Sequence, residues 1–231
     1  YMTLPKGTTT QSNRGRGIVA GGSPGADNNE QIEYMNIQSD GNAVDFGELI
    51  SARRGNGGCS SSTRGVFATG TATNPSPAFT NSIEYITIAT TSNASDFGDL
   101  NSATRNLGGV SNSTRGLFAG GGDNPALIDV IDYITIASTG NATDFGNLLA
   151  AKSGLCGVGS PTRALFGGGS TPSVSDVIQY VTIATTGNAT DFGDTTVART
   201  EGAGIASPTR GLMAGGEDAS NRYNTIDYIT F

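Results

Sequence analysis

No histidine and no tryptophan occur among the 231 residues, and cysteine appears only at Cys59 and Cys156. Without an imidazole, every mechanism that needs a His base, a His-ligated metal or a Ser/His/Asp triad is excluded. Two cysteines are too few for a disulfide scaffold or a zinc site. Charge is scarce as well: Asp, Glu, Lys and Arg make up 14% of the chain, against about 25% in an ordinary domain. That rules out a long-helix or coiled-coil protein. Thirteen Lys and Arg against twenty Asp and Glu leave a net charge of -7, the wrong sign for a chain whose main partner is a nucleic acid or an anionic membrane. No run of eighteen apolar residues reads as a membrane-spanning helix, and no secretory signal is visible. The chain opens at Tyr1 rather than Met, which reads as a processed or trimmed piece or the ordered part of something larger.

What is abundant is glycine, 35 residues in all, about double the usual ~7% share. Disorder is not the consequence, because the apolar residues gather in short β-branched runs such as Ile83-Glu84-Tyr85-Ile86-Thr87-Ile88, which read as strands. The runs repeat. Tyr34, Tyr85, Tyr133, Tyr180 and Tyr228 are spaced 51, 48, 47 and 48 residues apart. Asp45, Asp96, Asp144 and Asp191, each followed by Phe-Gly, share the first three intervals, and Arg16, Arg64, Arg115, Arg163 and Arg210 keep the same pace. Each period divides into a small-residue strand, a tight turn, a strand closing on glycines, a variable loop, a Tyr strand, a Gly-Asn turn and a strand carrying Asp-Phe-Gly. Gly-Asn between two strands is a hairpin signal. Four short antiparallel strands per period is the unit of a β-propeller blade.

The expected fold is therefore all-β: one five-bladed β-propeller over 1–231, with four-stranded antiparallel blades at about 5–49, 50–100, 101–148, 149–195 and 196–231. Since the last copy ends on its third strand at Phe231, residues 1–4 are expected to complete that blade and close the ring. The pattern resembles the kelch repeat along the whole chain, through Arg105, Lys152 and Arg199 at the blade starts, Gly120-Gly121 and Gly167-Gly168 after the second strand, and Tyr133 and Tyr180 in the third. Kelch blades usually carry Trp in the fourth strand; here Phe46, Phe97, Phe145 and Phe192 stand there. The phrase Thr-Gly-Asn-Ala-Thr-Asp-Phe-Gly also resembles repeats in structural proteins of marine and cyanobacterial phages.

The repeated residues read as structural. Phe46, Phe97, Phe145, Phe192 and the Tyr series are suited to packing between blades. The five Arg could form a ring that binds an anion on the axis, or each could pair with a repeated acid such as Asp96 or Asp144; the second reading is favoured. The Asn-Ala-Thr-Asp turns offer oxygens to calcium but lack EF-hand spacing. Asn93, Asn112, Asn141 and Asn188 sit in glycosylation sequons that travel with the repeat. Ligand-binding residues are expected where the copies differ, in the loops between second and third strands: Asp27, Asn28, Asn29, Phe79, Asp123, Asn124, Asp218, Arg222 and Tyr223.

No pair of carboxylates is visible for glycoside chemistry, Glu201 being the only off-pattern acid near the first strands, and copper chemistry of the kelch-like type lacks its His ligands. The expectation is a non-enzymatic recognition or assembly module with no cofactor and no metal. Its favoured setting, implied by the phage-like phrase, is a virion surface or tail fibre, as part of a larger homo-oligomeric fibre, binding a host-surface glycan or a neighbouring structural protein. A kelch-like intracellular adaptor and a multivalent lectin are the alternatives.

Overall fold

Strands form where β-branched and aromatic residues alternate, and chain reversals fall at the Ser/Thr/Pro and Gly-Asn stretches between them. The computed structural model describes residues 15–23, 28–72, 78–123 and 126–231. All regular structure among them is β, and every strand pairing is antiparallel. The five repeats of the sequence, called units one to five in chain order, fold into antiparallel sheets of two to seven strands. The third is a four-stranded meander of Gly108–Ser111, Arg115–Ala119, Val130–Thr135 and Thr143–Asn147. The fourth repeats it with Ser153–Gly159, Arg163–Thr171, Val177–Thr182 and Thr190–Asp194, and carries the short Ser173–Val174 on its second strand.

The other sheets depart from that pattern. Val44–Arg54 runs on far enough for Arg53 and Arg54 to pair with Ala72 and Thr71, so units one and two merge into a seven-stranded sheet. Among the described residues unit five has three strands, Ala203–Ala206, Arg210–Ala214 and Ile226–Thr230. No pairing among the described residues joins it to unit one. The closing strand expected from residues 1–4 lies outside the described residues.

Apolar side chains are buried between units rather than within them, because a single sheet has no interior of its own. One cluster joins Val66, Ile83, Phe97 and Leu100 of unit two to Leu107, Phe118, Ile134 and Ile136 of unit three. The same positions recur at the next boundary, with Leu117, Ile131, Phe145 and Leu148 against Leu155, Phe166, Val181 and Ile183. Each fully buried Phe contributes about 1.5–3 kcal/mol on burial.

The Arg series belongs to this packing. Arg16, Arg64, Arg115 and Arg163 lie 4.5 to 4.8 Å over Tyr34, Tyr85, Tyr133 and Tyr180, a cation–π geometry. Each of those Tyr rings meets the following Phe edge-on at 5.8 to 6.0 Å. From the same place Arg16, Arg64 and Arg115 donate to the carbonyls of Ile88, Ile136 and Ile183 in the next unit. The expected Arg–Asp pairing is thus replaced. Asp45, Asp96, Asp144 and Asp191 are exposed, and no ion pair joins them to the Arg series among the described residues. A guanidinium already held by a ring face and a carbonyl needs no carboxylate.

The Asn-Ala-Ser/Thr phrase is a joint as well. Asn93, Asn141 and Asn188 each accept, through Oδ1, the backbone N–H of Glu48, Asp99 and Asn147 in the unit before.

Candidate functional site

The first strands are small because they pack backbone to backbone: a Cβ on Gly109, Gly157 or Gly204 would run into the carbonyl of Gly58, Gly109 or Gly157. The turns leading into these strands share one unusual residue each. Gly55, Asn106, Gly154 and Glu201 have φ of +68°, +54°, +68° and +58°, the left-handed region in which Gly and Asn are cheap and Glu is not. Their backbones bond in series. Asn106 N–H donates to the Gly55 carbonyl at 2.7 Å, Gly154 to Asn106 at 2.7 Å, and Glu201 to Gly154 at 2.9 Å.

These four turns bring residues of every unit boundary to one open cavity of about 490 Å³, lined by Gly22, Ser23, Arg54, Asn56, Arg105, Asn106, Leu107, Leu155 and Glu201. Arg54 and Glu201 are exposed at it. The variable loops start at the same end, since their leading glycines bond to the turns: Gly22 to the Arg53 carbonyl at 2.9 Å, Gly121 to Lys152 at 2.7 Å and Gly169 to Arg199 at 2.9 Å.

The loop residues expected to bind divide into three groups. Asp218, Arg222 and Tyr223 come together: Asp218 accepts the N–H groups of Ser220 and Asn221 at 2.7 Å each and the Tyr223 hydroxyl, and exposed Arg222 reaches Glu217 at 3.2 Å. The Tyr223 hydroxyl and these amides hold the Asp218 carboxyl down at about 2, and the carboxylate in turn raises the Tyr223 phenol. Asn28, Asn29 and Phe79 are half-buried and occupied. Asn28 donates to the Thr71 carbonyl, Asn29 caps Gln31 N–H, and Phe79 lies under the Arg105 guanidinium at 5.4 Å. Asp27, Asn124 and the side chain of Asp123 lie outside the described residues.

Buried polar groups elsewhere serve the unit boundaries. The residue before Tyr85, Tyr133, Tyr180 and Tyr228 reaches across to the preceding fourth strand or connection. Glu84 accepts Ile50 N–H at 2.8 Å, Asp132 accepts Asn101 N–H at 3.0 Å, Gln179 accepts Leu149 N–H at 2.7 Å, and Asp227 accepts Thr196 N–H at 3.4 Å. Where that residue is Glu84 it also pairs with buried Arg53, and Asp227 pairs with Arg199 at 2.8 Å. Where it is the neutral Gln179, the cation of the same unit, Lys152, turns to Ser175 Oγ at 2.8 Å instead. Desolvation raises the Glu84 and Asp132 carboxyls, the hydrogen bonds only partly opposing it. The Cys59 and Cys156 thiols are pushed up to about 12 and about 11 by burial.

The cavity residues Arg54, Asn56 and Asn106 were not legible as a site, because they sit in turns whose length and glycines look structural. One signal was available: Glu201 stands at the register of Gly55, Asn106 and Gly154. The chain matches no protein-family model and no curated protein.

Proposed function

We propose that the five units are blades of a β-propeller that serves as a non-catalytic recognition or assembly module, and that its ligand is taken at the end where the variable loops and the blade connections meet. The observation that carries this reading is Glu201, a non-glycine residue held at positive φ on the rim of the 490 Å³ cavity. Backbone strain of that kind costs about 1–3 kcal/mol and concentrates at functional positions. The repeated Arg, Tyr, Phe and Asn side chains are taken up by contacts within and between units, so the residues that differ from copy to copy supply the recognition chemistry. Arg54, Asn56, Asn106 and Glu201 offer donors and acceptors of both charges around an open concavity, a lining suited to the hydroxyls of a glycan.

The setting we propose is a phage virion or tail fibre, with a host-surface glycan or a neighbouring structural protein as the partner; the phage-like repeat phrase supports it. A glycan array tests the reading. Binding that falls at least tenfold on Arg54→Ala or Tyr223→Ala supports glycan recognition at this end. Stable copurification with capsid or tail proteins and no glycan hit would shift it to assembly. Hydrolysis of a bound polysaccharide, lost on Glu201→Gln, would overturn the non-catalytic reading.

A further inference from the structure

Nearly every cation described is engaged. The Tyr-stacked Arg series, the boundary cations Arg53, Lys152 and Arg199, Arg222 on Glu217 and Arg105 over Phe79 each have a partner. Among the described residues Arg54 is the exception, its guanidinium making no hydrogen bond, ion pair or ring contact. It is exposed, and it lines the 490 Å³ cavity. Two more side chains at that cavity are equally unengaged, the Asn106 amide and the Glu201 carboxylate. The turns fix where they lie. A Cβ on Gly55 would strike Asn106 Oδ1, so this amide rests over the residue that follows Arg54, whereas a Cβ on Gly154 would come within 3.3 Å of Glu201 Cγ, so Glu201 leans over a turn two boundaries further on. The cavity therefore has a cationic side at Arg54 and Asn106 and an anionic side at Glu201.

We propose that this cavity takes a sugar carrying a single carboxylate, of the uronic- or sialic-acid kind, with the carboxylate on Arg54 and ring hydroxyls on Asn106 and Glu201. The inference rests on the glycan reading above and narrows it. A guanidinium offers five N–H donors and no acceptor, and a carboxylate matches two of them at once, which a neutral sugar hydroxyl does not. A volume of 490 Å³ lies inside the range of roughly 300–1,000 Å³ usual for small-ligand pockets. The chain's net charge of -7 gives no general attraction for anions, and charges in water are screened beyond about 8 Å at physiological salt. Preference for an acid has to come from contact at Arg54. Glu201 sets the upper limit on charge: its oxygens accept from hydroxyls, while a second anionic group on the same ring would meet a like charge.

A glycan array on which uronate- and sialate-bearing oligosaccharides stand beside their methyl esters tests this, because the ester removes the charge and keeps the ring. Acids are expected to bind at least tenfold more tightly than their esters. Arg54→Gln, at an exposed position whose change leaves the fold intact by circular dichroism, should bring acid and ester to equal, weaker binding. A sulfate added to the acidic ring should weaken binding at least tenfold, and Glu201→Gln should recover most of that loss. Acids and esters bound equally, or an acid preference that survives Arg54→Gln, would overturn the proposal while leaving glycan recognition standing. Sulfated and plain rings bound alike would overturn the limit to one charge. No binding of any glycan, acid or ester, would remove the glycan reading and this inference together.

Discussion

Residues that look alike in the repeat carry different electrostatic duties according to what the neighbouring unit places against them. Glu84 and Asp132 stand at one repeat position, yet only Glu84 faces a buried cation, Arg53. Glu84→Gln should cost about 3 kcal/mol, the penalty of leaving a buried guanidinium without its partner. Asp132→Asn keeps an acceptor and should cost only about 1 kcal/mol; urea unfolding separates the two. Asp132 also predicts a pH effect. Its carboxyl is raised by burial, so the folded state holds the proton more tightly than the unfolded one, and stability is gained as pH falls through the window above the ordinary carboxylate value. The stability difference between wild type and Asp132→Asn should therefore move in favour of wild type between pH 7 and pH 4. For the thiols, Cys59 at about 12 and Cys156 at about 11 leave almost no thiolate at pH 8. Native alkylation should be on the order of 10³-fold slower than in denaturant, where an ordinary thiol titrates near 8.5.

At the scale of the strand, the glycine of Asp-Phe-Gly does two things that one comparison separates. Gly98 and Gly193 both have positive φ, +142° and +137°. A Cβ on Gly98 would also meet the Gly140 backbone of the next unit at 2.5 Å, while one on Gly193 meets nothing within 4 Å. Gly193→Ala should cost about 1 kcal/mol from conformation alone, and Gly98→Ala at least about 2 kcal/mol more as the joint opens. Equal losses in thermal or urea unfolding would sink the idea that this glycine is there for docking. Strand positions, tight turns and the packing of Tyr and Phe were legible beforehand, because period-two alternation and turn residues are local signals. The partners of the Arg series were not. Arg and Asp recur together along the chain, but recurrence reports equivalence of position, and only the fold shows that Asp96 points outward while Arg64 lies over Tyr85.

Across the molecule, four clusters among the described residues bury the core between successive units, while Val19, Met35 and Ile37 of unit one and Ile205, Ile226 and Tyr228 of unit five are exposed. The cavity and the starts of the variable loops lie at the same ends of the units, so stability and ligand contact draw on different residues. Glu201→Gly should then stabilise the chain by about 0.5–1 kcal/mol, by relieving the left-handed strain, while weakening glycan binding if the rim carries it. A stabilised variant with unchanged binding would mean that Glu201 is a tolerated irregularity.

By itself the amino-acid sequence determined the all-β class, the five copies, the turns and the exclusion of imidazole chemistry, since each rests on composition, periodicity or local backbone preference. The tertiary structure decided which atoms meet: Arg over the Tyr of its own unit and on to the next unit's carbonyl, Asn into the preceding strand, Glu84 on Arg53, and Arg54 with Glu201 at one cavity. Those contacts join residues from 17 to 147 positions apart, and a repeat period cannot register them, because a period compares a residue with its own copies and never with its neighbours in space.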